Sequence, residues 1–138
     1  MGKECNLGKG NSQERKRLWR GEVLGMMGKY KVITLCGSTR FKDEFERVNK
    51  ELTLSGHIVI SVGCFGHAGD TFTEEQKVML DDIHKQKIDM ADGIFVINKD
   101  GYIGSSTRSE IKYAFKNGKS IAFLETPNPN DYMSIIQS

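Results

Sequence analysis

Cysteine is scarce in this chain and badly arranged for cross-linking: Cys5, Cys36 and Cys64 are odd in number, far apart and never in a CxxC pair. That spacing supports neither a disulfide framework nor a zinc cluster, and it points to a reducing, cytoplasmic setting. No apolar run approaches the roughly 18 residues of a membrane span. The basic N-terminal stretch is followed by no apolar segment, so neither membrane insertion nor secretion is expected. Also missing are an internal repeat, a low-complexity tract, a GxGxxG, a Walker A lysine motif, an HExxH and an EF-hand loop. These absences disfavour nucleoside triphosphate chemistry and the common metal sites.

Charge of one sign is also lacking, with 20 Lys and Arg against 18 Asp and Glu. The near balance hides an asymmetry. Residues 1–31 hold 8 basic residues and 3 glutamates, whereas the remainder holds 12 basic and 15 acidic residues. A mildly acidic body argues against nucleic acid as its main partner, although the basic arm can touch anionic surfaces weakly.

At 138 residues the chain reads as one domain able to bury a core without disulfides or metal. Residues 1–28 contain six glycines, scattered charges and no sustained period, and read as a flexible basic arm with at most a turn of helix over 16–24. The folded domain then spans residues 29–138.

From Lys31 the pattern becomes regular. Residues 32–36 form a short apolar run of the kind buried on both faces of a parallel sheet, ended by Gly37. Phe41, Phe45, Val48 and Leu52 then recur on one helical stripe that stops at Gly56. A second strand is expected over 57–62, with His57 structural, followed by a long loop over 63–73 that contains three glycines and His67. Thr73 and Gln76 form a capping box opening a second helix, with Met79, Leu80, Ile83, Ile88 and Ala91 as its apolar side. A third strand over 94–97 follows. The third helix is expected over 107–117, with Ile111, Ala114 and Phe115 inward. After it come a fourth strand over 120–124 and a last short helix over 131–136. Strands alternating with helices at this spacing make an α/β fold of right-handed βαβ units around a parallel sheet.

Two loops carry the candidate chemistry. Gly37, Ser38, Thr39 and Arg40 leave the first strand, and Gly104, Ser105, Ser106, Thr107, Arg108 and Ser109 lead to Glu110 after the third. A strand that ends in glycine and hydroxyl residues and turns at once into a helix presents unpaired N–H groups and the positive helix end, a place suited to phosphates and sugar hydroxyls. In a doubly wound sheet both loops face one crevice. Glu110 has two readings. It closes a Thr107-x-x-Glu110 capping box, or it faces the crevice as a nucleophile toward a sugar C1′. Asp81, Asp82, His84, Asp89 and Asp92 make an acidic helix side without a metal-ligand spacing. Cys36 reads as packing.

Three segments together resemble the nucleoside 2-deoxyribosyltransferase family and its relatives that hydrolyse deoxynucleoside monophosphates. They are CGSTRF at 36–41, MADGIFVIN at 90–98 and YIGSSTRSEIKYAFKNGKSI at 102–121, and the similarity covers about residues 30–125. The resemblance implies a flavodoxin-like or Rossmann-like three-layer sandwich with four to five parallel strands, no cofactor or metal, and a homodimer or higher homo-oligomer that completes its sites across an interface. Glu110 falls on the family's nucleophilic glutamate. Gly37, Ser38, Thr39 and Arg40 fall on the 5′-phosphate loop, Ser105 and Ser106 (after Gly104) on the sugar or phosphate side, Tyr102 beside the base and Asp92 in the "AD" pair. Two positions depart. His84 stands where the family has an aspartate that positions the sugar and assists base departure, so His84, Asp89 or water is left to deliver that proton. Lys112 replaces a small glycine and is expected to narrow or recharge the pocket. The expected activity is cleavage or transfer at the N-glycosidic bond of a (deoxy)nucleoside or its 5′-monophosphate. The alternative is a nucleotide-binding module without turnover.

Overall fold

The computed structural model describes residues 29–66 and 71–138. The expected arm over 1–28 and His67 lie outside the described residues. In chain order the elements are β1 (Val32–Gly37), α1 (Lys42–Leu54), β2 (Ile58–Ile60), α2 (Glu74–Asp89), β3 (Gly93–Ile97), α3 (Ser105–Lys116), β4 (Ser120–Phe123) and α4 (Pro129–Gln137). Single 3-10 turns, Thr39–Phe41 and Lys99–Gly101, follow β1 and β3.

All strand pairs are parallel, in the order β2-β1-β3-β4. The two-residue period of the strands sorts their side chains onto two faces. Ile33, Leu35 and Ile97 meet Phe45 and Val48 of α1, while Cys36, Ile94 and Val96 meet Ile88 of α2, Ile111 and Ala114 of α3 and Ile135 of α4. This is the flavodoxin-like three-layer α/β arrangement, with one helix on one face and three on the other. Each fully buried Leu35, Phe45 or Ile111 contributes roughly 1.5–3 kcal/mol of burial free energy. No helix among the described residues is long and apolar enough to cross a membrane.

The strand order reverses between β1 and β3, and there the backbones nearly touch. A Cβ placed on Gly37 would lie 2.8 Å from the Ile97 carbonyl oxygen and 3.1 Å from its Cβ, so only glycine lets the end of β1 seat against β3. At the opposite end of the sheet Gly93 is held as closely, its Cβ position 2.8 Å from the Ser120 oxygen.

Several expectations are corrected. The expected apolar side of α2 is buried only toward its C-terminal end: Ile88 and, just past the helix, Ala91 are buried as expected, whereas Met79 and Ile83 are exposed and His84 is buried. Leu80, Ile83 and His84 border a cavity. Phe115 likewise faces outward while Ile111 and Ala114 are buried. Strand β2 stops at Ile60, short of residue 62, because it is an edge strand paired on one side only. His57 is structural as expected, buried with Nδ1 3.2 Å from the Leu52 carbonyl.

The loops that leave β3 and β4 are tied by one side chain. Asn98, fully buried, donates from Nδ2 to the Glu125 carbonyl and accepts the Glu125 N–H at Oδ1, both at 2.9 Å. Glu125 in turn accepts the Asp100 N–H at 2.9 Å, which holds Asp100 in the left-handed region at φ 56° ahead of Tyr102. Asn98→Ala leaves both Glu125 backbone groups without that partner and is expected to cost on the order of 2 kcal/mol, measured by urea unfolding. A change below about 0.5 kcal/mol would show the clamp to be dispensable.

Candidate functional site

Helix α3 starts two residues earlier than its sequence pattern suggests. Its N-cap is Gly104, in an extended conformation and offering no side-chain cap, so Ser105, Ser106 and Thr107 fill the first turn. Thr107 is therefore inside the helix and Glu110 lies in its second turn, too far along to fold back onto the N-cap. The capping-box reading of Thr107 and Glu110 is corrected on this ground. Glycine at 104 has a second use. Its Cβ position would stand 3.1 Å from the Tyr102 hydroxyl, so the Tyr102 ring lies directly over the start of the helix.

At the carboxyl ends of β1 and β3 opens a cavity of about 630 Å3, within the usual range for small-molecule sites. Gly37, Ser38 and Thr39 border it from the first loop, and Tyr102, Gly104, Ser105 and Ser106 from the second. His84 of α2 and Glu110 of α3 reach it from the side. The first turn of α3 has no acidic residue, so its N–H groups and dipole present an uncompensated positive end to this space. Ser38 is the cap of the turn that follows β1, its Oγ accepting the Arg40 N–H at 3.3 Å.

Other expected residues sit elsewhere. Arg40 stands at the rim, with its guanidinium 4.2 Å from the centre of the Tyr102 ring, and does not border the cavity. Asp89 and Asp92 are at the opposite, amino end of the strands. Asp89 accepts the Tyr113 hydroxyl at 2.7 Å, and Asp92 accepts the Val32 N–H at 2.8 Å. Both are corrected to structural roles, because a parallel sheet puts the start of β3 and the crevice a strand length apart. Lys112 does not border the cavity either, so it leaves the pocket's width unchanged.

His84 and Glu110 line the cavity, and Cys36, fully buried, meets them from behind the wall. His84 Nε2 lies 3.3 Å from Cys36 Sγ and 3.5 Å from Glu110 Oε1, and the His84 and Glu110 side chains are only 11% and 12% exposed. Burial pushes the Glu110 carboxyl up to about 8, helped by the negative charge of Asp81 and opposed by Lys85 and by the Cys36 thiol. Burial also lowers His84 to about 4, with Lys87 adding to the effect. The Cys36 thiol is raised well above its ordinary value by burial and by Glu110, which makes it a hydrogen-bonding thiol and no nucleophile. Around neutral pH, then, Glu110 is held mainly as the carboxylic acid and His84 as the neutral imidazole, with Nε2 3.5 Å from Oε1.

Sequence reasoning treated Cys36 as packing, and the structure brings it to His84. The signal was strand alternation: Cys36 shares the face of Thr34, and Thr34 Oγ1 donates to the Lys87 carbonyl of α2. Lys87, also missed, borders the cavity and donates from Nζ to the Ser61 carbonyl at 2.8 Å. Asp81 is a further cavity residue, paired with Lys85 at 2.9 Å. Cys36, His84 and Glu110 are also the one group of metal-ligating donors found among the described residues. Compared with known proteins, the chain matches no family model and no curated protein.

The raised carboxyl gives a stability test whose sign can be stated. In the folded chain Glu110 holds its proton up to about 8, whereas the unfolded chain loses it near 4.5, so native stability falls as pH rises through that window. His84 acts oppositely, since its depressed value removes stability as pH falls from 6.5 toward 4. Glu110→Gln removes the first slope and keeps the second. The variant is expected to gain stability relative to the parent by about 3–4 kcal/mol between pH 5 and pH 8, read by denaturant melts at both pH values. An equal difference at the two pH values would mean that the carboxyl is not held protonated.

Proposed function

We propose that this protein breaks or transfers the N-glycosidic bond of a (deoxy)nucleoside or its 5′-monophosphate, with Glu110 as the nucleophile. The observation that carries the reading is the orientation of Glu110. It lies past the capping position of α3, with its carboxyl against His84 at the wall of a cavity bordered by Ser38, Ser105 and Ser106. The resemblance of the two loops to the nucleoside 2-deoxyribosyltransferase family supplies the reaction class. The cavity supplies compatible chemistry: the N–H groups that open α3 suit a phosphate or sugar hydroxyls, and the Tyr102 ring suits a base.

The His84 and Glu110 pair can run the first half of the reaction with the proton it already holds. That proton passes to Nε2, and the freed carboxylate attacks C1′. The C1′–N bond breaks with its electron pair going to the base nitrogen, which takes the proton from Nε2. Water then attacks C1′, giving its proton to Nε2 while the electron pair of the glycosyl ester returns to Glu110. A second base in place of water gives transfer. In this scheme the histidine at position 84 replaces a family aspartate without loss of the acid, because it is neutral at working pH and can accept what the glutamate gives up.

Two measurements test the reading on a panel of ribo- and deoxyribonucleosides and their monophosphates, with free base followed by chromatography. Base release is expected from the parent chain, and Glu110→Ala is expected to lose at least a thousandfold. The pH profile of kcat/KM is expected to be bell-shaped with limbs near 4 and 8, since the active state carries one proton on the pair. Tight nucleotide binding with no base release would instead establish a binding module. Release that survives Glu110→Ala would remove the nucleophile from the scheme.

A further inference from the structure

The Cys36, His84 and Glu110 side chains are a donor set as well as a proton pair. We propose that they bind a zinc ion, with Cys36 Sγ, His84 Nε2 and one Glu110 carboxylate oxygen as ligands and the fourth position open to the cavity. The site does not depend on the glycosidic reading.

Geometry is the first argument. Donors held about 2.0–2.3 Å from a tetrahedral zinc stand roughly 3.3–3.7 Å from one another. Nε2 is 3.3 Å from Sγ and 3.5 Å from Oε1, and the three donor atoms all lie within 4.8 Å of one another. They come from three separate elements, β1, α2 and α3, each anchored in the same buried cluster through Cys36, Ile88 and Ile111. The donors are thus pre-placed by the core and need no loop to order around the ion. Only the end of the Glu110 chain has to turn.

Donor chemistry is the second argument. A thiolate, an imidazole nitrogen and a carboxylate oxygen together suit zinc and exclude the hard cations, which take oxygen alone. Charge is the third. A dipositive ion with one thiolate and one carboxylate makes a neutral centre, the arrangement a dry wall tolerates best. On binding, the thiol and carboxyl protons pass to solvent and the metal takes their place, so charge is conserved. Three protein ligands with one open position is the pattern of a reactive or regulatory zinc, not of a closed structural one.

An ion here engages the carboxylate that the proposed glycosidic step needs free, so the metal-loaded and the nucleophilic forms exclude one another. Zinc occupancy would then act as a reversible off-state of the same cavity.

Cobalt reads the site directly, because a thiolate ligand gives Co2+ a charge-transfer band in the near ultraviolet. The metal-free full chain, kept reduced, is titrated with Co2+ and then with Zn2+. One equivalent of Co2+ is expected to give the band, and Zn2+ to displace it. Cys36→Ser is expected to abolish the band, and His84→Gln to weaken Zn2+ binding at least tenfold by competition calorimetry. Cys5→Ser with Cys64→Ser should keep both signals, which separates Cys36 from the other two thiols. Circular dichroism checks that Cys36→Ser folds, and if it does not, His84→Gln and Glu110→Gln carry the test through their Zn2+ affinities. No cobalt band, a band that survives Cys36→Ser, or Zn2+ affinity unchanged in both His84→Gln and Glu110→Gln would overturn the site. Because every readout is metal binding, failure here leaves the base-release assay untouched, and failure of that assay leaves the metal site standing.

Discussion

The close seating of β1 against β3 is the constraint on which the site rests. Adjacent parallel strands stand about 4.8 Å apart, and the carboxyl end of β1 can reach that spacing only because position 37 has no side chain to meet Ile97. From that contact the chain turns two ways. The β1 loop runs to α1 on one face, and the β3 loop runs through Tyr102 to α3 on the other. The crevice is the gap left between the diverging turns, so its position follows from strand order before any polar residue is considered. The Arg40 and Tyr102 stack then bridges the two loops at the rim, where the guanidinium lies on the ring face.

Burial turns this crevice from a polar groove into a place with unusual proton affinities. His84 lies one turn before Ile88 on the same face of α2, so the packing that buries Ile88 also turns His84 inward. There its Nε2 meets Cys36 Sγ at 3.3 Å, while Met79 and Ile83 stay exposed. Glu110 is carried inward by the early start of α3. Removing both groups from water moves their proton affinities toward each other and past, until the carboxyl outcompetes the imidazole for the single proton. Asp81 and Lys85 act on Glu110 in opposite directions, and each is partly offset by the other through their own contact. The desolvation of the wall therefore dominates, not any one charged neighbour.

Much of the fold was legible because parallel strands and an amphipathic helix have distinct periods. Residues 32–36 and 94–97 read as buried strands, Phe45 and Val48 as the inward face of α1, and Thr73 with Gln76 as a capping box that the structure forms reciprocally at 3.0 and 2.9 Å. The two loops were legible as neighbours through the strand-order rule. What failed depends on tertiary geometry that no local period encodes. The α2 stripe held at Ile88 and Ala91 and failed at Met79 and Ile83, which are exposed where the helix passes the cavity that Ile83 borders. Glu110 could not be assigned from Thr107 because the pattern S/T-x-x-E fits either register, and Gly104 fixed the other one. Asp89 and Asp92 lie near the site residues in sequence but a strand length away in space. Cys36 looked inert because its histidine lies 48 residues on.

That separation has a consequence for how the cavity comes into being. Cys36, His84 and Glu110 each arrive on a different βα unit, so no single supersecondary fragment carries more than one of them. During synthesis the ribosome releases β1 and α2 well before α3, and the wall of the cavity closes only after that helix docks on Ile94 and Val96. A chain that has not yet released α3 therefore holds a thiol and an imidazole without their carboxylate neighbour, and the altered chemistry appears as a property of the completed domain.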